Sequence, residues 1–243
     1  MIKLLCKQMK GNIIIILCVF CLNCKSQNNN ISFGIQYKPI IPSAYFNSSD
    51  LENQFSEYRF ELKPNYSNSF GMFIRKKITK VFSTEFGINY TTRNFMLEIK
   101  NADLNLKDET YFNLRSYEIP LQLLTYIQIS NFWYLNTAFG LSHNVLASDV
   151  FSEGEKNKYY LQNTYRRNGG YKALLANIGI EYRTDKIGDY YLGISLHRPW
   201  IPIAKTYPIF KNNNVSNDPV LDNSKIDIPG NYLTLDLRYI FSE

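Results

Sequence analysis

The sequence predicts an all-β protein: an eight-stranded antiparallel up-and-down transmembrane β-barrel with four long external loops and three short periplasmic turns. Three observations lead there. Segments in which apolar and polar residues alternate recur eight times along the chain. The connections between them are alternately long and short. Each segment pairs a bulky apolar face with a slim polar one, which suits a closed ring standing in lipid.

The chain opens with Lys3, Lys7 and Lys10 ahead of the apolar run NIIIILCVFCL, followed by NCKSQNNN. That is the layout of a secretory signal peptide, and the run is too short for a spanning helix. Residues 1–26 are therefore expected to be a signal peptide, cut near Ser26 or Gln27, and 27–243 an outer-membrane β-barrel domain. Lipoprotein processing at Cys24 is the alternative, although Asn23 is a poor small residue before such a cysteine. Cys6, Cys18, Cys21 and Cys24 all lie in this segment, so the mature chain is expected to have no disulfide framework and no Cys-based metal site. Without the four lysines of the first 25 residues, 23 basic residues face 21 acidic ones. The formal charge of +6 therefore carries no indication of a nucleic-acid partner.

The eight segments run over 31–38, 69–77, 81–97, 113–127, 132–147, 170–184, 189–199 and 231–241. The connections 39–68, 98–112, 148–169 and 200–230 are long, whereas ITK, QISN and DKIG are short. Long loops at one end and tight turns at the other is the asymmetry of outer-membrane barrels, with the turns in the periplasm. An even number of strands puts both termini at the periplasmic end.

The faces decide what lies inside. In the fifth segment Trp133, Leu135, Thr137, Phe139, Leu141 and Val145 oppose Asn136, Ala138, Gly140, Ser142 and Asn144. In the sixth, Leu174, Ala176, Ile178, Ile180 and Tyr182 oppose Asn177, Gly179, Glu181 and Arg183. Eight strands enclose a space that side chains just fill, and Gly, Ser, Asn and Ala suit such a narrow lumen. A soluble periplasmic ligand-binding barrel, the competing reading, would place the apolar face inside. The alternation points Arg75, Glu85, Arg93, Glu118, Glu181, Arg183, Asp236 and Arg238 inward. Buried charges need partners, so these residues are expected to form a structural salt-bridge network plugging the lumen; the sharper alternative is a gate whose pairs exchange. Trp133, Tyr134, Tyr190, Tyr191, Tyr239 and Phe241 near the short-turn end, and Trp200 at the opposite rim, are expected to form aromatic belts at the headgroups.

The stretch from Tyr117 to Leu146, YEIPLQLLTYIQISNFWYLNTAFGLSHNVL, resembles a hairpin of the PorT-like outer-membrane β-barrel family of Bacteroidota. GIEYRTDKIGDYYLGISLHRPW is similar to that family's next hairpin and LTLDLRYIF to its last strand. The resemblance covers nearly all of the mature chain through patterned, non-catalytic motifs. The third loop is longer than the family's short barrels usually need. One branch of the family is tied to the type IX secretion machinery. The resemblance also implies that Pro120 belongs in mid-strand. Because proline removes a ladder hydrogen bond, a bulge or bend is expected at 119–120.

Two Ser/His pairs invite a hydrolase reading. Ser142 and His143 are adjacent and so point to opposite faces. Ser195 and His197 share a face, the spacing of an outer-membrane lipid-modifying hydrolase, but parity places them in the lumen rather than toward lipid. Two histidines on different strands, without a dense carboxylate set, give no metal site, and no cofactor motif is present. The function expected is a non-enzymatic integral outer-membrane protein that anchors or supports an envelope assembly. Its partners would be outer-membrane lipids and envelope proteins met through the loops 39–68, 148–169 and 200–230.

Overall fold

A computed structural model of the chain describes residues 30–42, 51–55, 58–101, 106–156, 160–184, 187–210 and 225–242. The expected signal peptide and Cys24 lie outside these residues, as does 211–224 of the last long loop. The described chain is all-β and antiparallel, with fourteen strands rather than eight.

Eight of them follow the alternating segments. They are β1 (Ile31–Ile41), β4 (Ser67–Lys77), β5 (Phe82–Asn101), β6 (Leu106–Gln128), β7 (Trp133–Leu146), β10 (Gly170–Tyr182), β11 (Asp189–Pro199) and β14 (Tyr232–Ile240). Each pairs with the next in chain order, β14 pairs back to β1, and the β5–β6 ladder brings the order round to its start. The short turns 78–81, 129–132 and 183–188 share one end with both sheet termini. They are tight: Ile78 N–H donates to Phe82 O at 2.9 Å and Ile129 N–H to Trp133 O at 2.9 Å.

The other six strands occupy what the sequence reads as long loops. β2 (Leu51–Phe55) and β3 (Tyr58–Pro64) extend the sheet from β5, while β8 (Val150–Glu153), β9 (Tyr160–Arg166), β12 (Ala204–Phe210) and β13 (Ile226–Ile228) form a second sheet. β5 and β6 are 20 and 23 residues long, about twice what a tilted strand needs to cross a bilayer. Their far halves therefore project beyond the barrel and carry the extra strands as an outer lobe. Phe60, Leu62, Phe95, Leu97, Ile99, Phe112, Leu114, Tyr160, Ile203 and Ile228 are buried together as its core. β8 docks on the edge of β6, where Glu155 N–H donates to Glu109 O at 2.9 Å. A second hydrogen bond there runs from Thr110 Oγ1 to Glu153 O at 2.7 Å. β9 and β10 are joined by an Asn-Gly turn whose residues, Asn168 and Gly169, both have positive φ (53° and 68°). Asparagine and glycine are the residues that tolerate this left-handed backbone, and here they carry the chain from the second sheet into the barrel.

No bulge forms at Pro120. The β5–β6 ladder lapses between Phe86↔Leu121 and Asn89↔Glu118 and resumes in the same register. The β6–β7 ladder runs through Pro120↔Ser142 without a break. The missing donor is absorbed as a local gap in one ladder, with no extra residue in either strand.

Candidate functional site

The barrel is inverted relative to a water-soluble one. Phe139, Ile178 and Leu235 on its outer face are 60%, 54% and 37% exposed, while Asp236 and Glu181 inside are fully buried. The outer stripe continues through Phe33, Met72, Phe86, Leu121 and Leu192, all exposed.

Inside, seven charged groups form one chain of alternating sign. Arg183 Nε donates to Glu181 at 2.7 Å, and Arg75 reaches Glu181 at 2.8 Å and Glu85 at 3.1 Å. Arg238 reaches Glu85 at 2.9 Å and Asp236 at 2.8 Å, and Lys38 closes the series on Asp236 at 3.3 Å. Neutral donors complete the carboxylates: Asn136 to Glu181 at 3.2 Å, and Asn177 and Ser195 to Asp236 at 3.1 and 2.6 Å. Register explains two links: Arg75 and Glu85 are directly paired across β4 and β5, and Lys38 falls opposite Asp236 in the register of β1 and β14. Arg183–Glu181 and Arg238–Asp236 are two residues apart along the chain. Arg75–Glu181 and Arg238–Glu85 join strands that are not neighbours and so cross the lumen, which an eight-stranded ring is narrow enough to allow. Lys38 was missed by the sequence reading. Its signal was the alternation Ser32, Gly34, Gln36, Lys38 along β1, all on the buried face.

Higher in the lumen Glu118 makes a separate cluster. Its carboxylate meets His197 Nδ1 at 3.1 Å and accepts from Asn89 Nδ2 at 2.8 Å. The His197 ring stacks on Tyr232 with centroids 4.3 Å apart. Arg93 departs from the expected salt-bridge network. It is buried, but among the described residues it has no carboxylate partner; its guanidinium lies 5.2 Å from the ring centres of both Phe95 and Tyr232. Aromatic faces take the place of an acid there.

Two belt assignments fail on parity. Tyr191 is 3% exposed and faces the lumen, where its hydroxyl donates to Asn177 and its ring lies 4.9 Å from Arg238. Its neighbour Tyr190 is exposed instead, because adjacent strand residues point to opposite faces. Tyr134 likewise turns inward, packed with Leu124 and Tyr126 beneath the Arg183 guanidinium. The lumen glycines make room for the inward rings: a Cβ at Gly193 or Gly179 would strike the Tyr191 hydroxyl, and one at Gly34 the Phe73 ring. Trp133, Trp200 and Phe241 are exposed, and Tyr239 packs against Tyr190 and Phe241 at 5.3 and 5.1 Å. A further outer pair, Tyr90 and Tyr117 at 5.5 Å, escaped the sequence reading.

The Ser/His pairs lack a hydrolase geometry. His143 is exposed while Ser142 is buried. Ser195 Oγ donates to Asp236 rather than to His197, whose Nδ1 is held by Glu118. Both side chains are enclosed in the lumen, out of reach of an acyl chain outside the barrel.

No family model and no curated protein matches the sequence. Among solved structures the chain is similar to the outer membrane protein OprG from Pseudomonas aeruginosa, with a TM-score of 0.54 at 11% identity over 88% of this chain and 97% of that one. It also aligns with the outer membrane protease OmpT from Escherichia coli (TM-score 0.34, 13% identity, 87% of this chain and 94% of that one). A third alignment is to an outer membrane channel from Pseudomonas putida F1 (TM-score 0.26, 10% identity, 90% and 97%). The likeness to OprG, together with the inverted faces, shows that this chain has the fold of outer-membrane β-barrel proteins.

Proposed function

We propose that the chain is a non-enzymatic integral outer-membrane protein. Its eight ring strands close a barrel in the bilayer, both termini stand in the periplasm, and the outer lobe faces an envelope assembly on the cell surface. The inversion carries this reading. Large apolar side chains such as Phe139 and Ile178 stand exposed around the ring while Glu181 and Asp236 are fully buried. In water that arrangement would be unstable, whereas in hydrocarbon it is the stable one. It also weighs against the soluble ligand-binding barrel, whose apolar groups would be inside.

The charge chain from Arg183 to Lys38 is read as a structural plug. It crosses the lumen with every carboxylate met by two cations, and the apolar core of the lobe lies at the other end. Support for an assembly role comes from the PorT-like resemblance of Tyr117–Leu146, and type IX secretion is the assembly to examine first. Partners would meet the segments 39–68, 148–169 and 200–230, whose described parts include the strands of the lobe.

Heat-modifiable gel migration of the membrane fraction tests the barrel: the unboiled protein should run as a compact species. Purification of the tagged protein in mild detergent tests the assembly. A partner should co-purify through the lobe; recovery of the barrel alone in every preparation would refute the assembly role while leaving the barrel intact.

A further inference from the structure

The turn end of the barrel holds a cavity that the plug does not fill. It measures about 390 Å³, and Lys77, Lys80, Ser83, Tyr126, Tyr134 and Arg183 are among the residues that line it. Three of its walls are cationic, and none of the residues lining it is acidic. Lys77 and Lys80 are exposed and, among the described residues, have no ion-pair partner. Among the described residues Arg183 spends only Nε on a hydrogen bond, at 2.7 Å from Glu181. Its guanidinium lies 4.0 Å from the Tyr134 ring centre and 4.6 Å from that of Tyr126, so it is held flat with its Nη groups uncommitted.

Tyr126 contributes its ring, which lies against the Arg183 guanidinium, while its hydroxyl is sealed from the space. A guanidinium with uncommitted Nη groups and two ammonium groups around one space form a receptor for an oxyanion. Glu181, behind Arg183, neutralises part of the positive charge. The remainder matches a phosphate, which carries about −1.5 to −2 at neutral pH, better than a single carboxylate. The volume sits at the low end of small-molecule sites, about 300–1,000 Å³. The plug closes the space from above, with Arg75 5.8 Å from the Tyr126 ring centre.

We propose that this basin binds a phosphate group, reached from the turn end of the barrel. With the orientation proposed above, that end faces the periplasm, and the phosphate belongs either to a soluble compound or to an inner-leaflet lipid headgroup. The experiment uses the full chain in a maltoside detergent free of phosphorus, titrated calorimetrically with inorganic phosphate at low salt. Saturable binding is expected. The double variant Lys77→Gln/Lys80→Gln should weaken it about tenfold or more. Arg183→Gln, which removes the guanidinium, should weaken it about fivefold. Repeating the titration in phosphatidylethanolamine nanodiscs separates the sources: retained binding identifies a soluble ligand, and lost binding a headgroup already seated. No saturable binding in maltoside, or binding unchanged in both variants, overturns the proposal. Heat-modifiable migration of the same samples reports the barrel independently, so a folded protein that ignores phosphate refutes only the basin.

Discussion

The barrel and the outer lobe share two strands, and these strands exchange their inside and outside halfway along. On β5 the buried face reads Ser83, Glu85, Asn89, Thr91 and Arg93, then Phe95, Leu97 and Ile99. On β6, read toward the lobe, it runs Gln122, Glu118 and Ser116, then Leu114 and Phe112. The opposite face changes the other way, from Phe86, Ile88 and Leu121, all exposed, to Thr92, Asn94, Asn113 and Arg115. The tilted Tyr90–Tyr117 pair stands at the crossover. Neither the strand nor its register alters there. What alters is the surrounding solvent: hydrocarbon around the barrel demands a polar interior, and water around the lobe demands an apolar one. Tyrosine belongs at such a boundary because its ring tolerates lipid and its hydroxyl prefers water.

The comparison breaks most sharply in the lumen. Glu85 receives both Arg75 and Arg238. Glu85→Gln should leave Arg75 with Glu181 alone and Arg238 with Asp236 alone, an under-neutralised buried cluster that costs about 3–5 kcal/mol, seen as a lower denaturant midpoint in detergent. An apolar interior would have produced no such penalty. In the lobe the corresponding change is a cavity. Leu97 is fully buried, and Leu97→Ala should cost about 2–5 kcal/mol. Protease nicking of the lobe should increase while heat-modifiable migration of the barrel is unchanged; loss of both together would mean that the two regions unfold as one.

The outer faces give the next contrast. Phe139 is 60% exposed on the barrel, and Phe139→Arg should cost about 2–4 kcal/mol if it stands at the bilayer midplane. Asn113→Arg, on the lobe half of β6, should change stability by less than about 0.5 kcal/mol. Equal effects would remove the reason for placing lipid around one and water around the other.

How much of this could be read from the chain follows the same division. The ring strands were legible because one solvent rule governs each of them within the barrel, and the parity of Asp236 and Arg238 or of Glu181 and Arg183 follows directly. The lobe was not legible. Its strands are short, and at Leu97, Glu98 and Ile99 three successive buried residues interrupt the period of two. Tyr134 and Tyr191 were misplaced by reading aromatic content where parity should have decided. The partners of Arg93 were beyond reach for another reason: Tyr232 comes from β14, at the other end of the chain, and no local pattern reveals which ring crosses a lumen.

The smallest effect concerns Glu98, at the far end of β5 and outside the ring. Burial pushes its carboxyl up, but hydrogen bonds from Lys100, Lys107 and Lys63 outweigh that and hold it down at about 2. A carboxyl that is lowered in the folded state stabilises the fold above its ordinary value, near 4.5, and loses that contribution as the pH falls toward 2. The lobe should therefore weaken between about pH 4.5 and 2, while the plug, out of contact with bulk water, holds the barrel. The lysines at 100 and 107 are 42% and 68% exposed, so each pair is screened and worth about 0.2–1 kcal/mol. Glu98→Gln should flatten this acid limb of lobe stability, followed by protease nicking of the lobe against pH. An unchanged limb would assign the acid sensitivity to carboxylates other than Glu98.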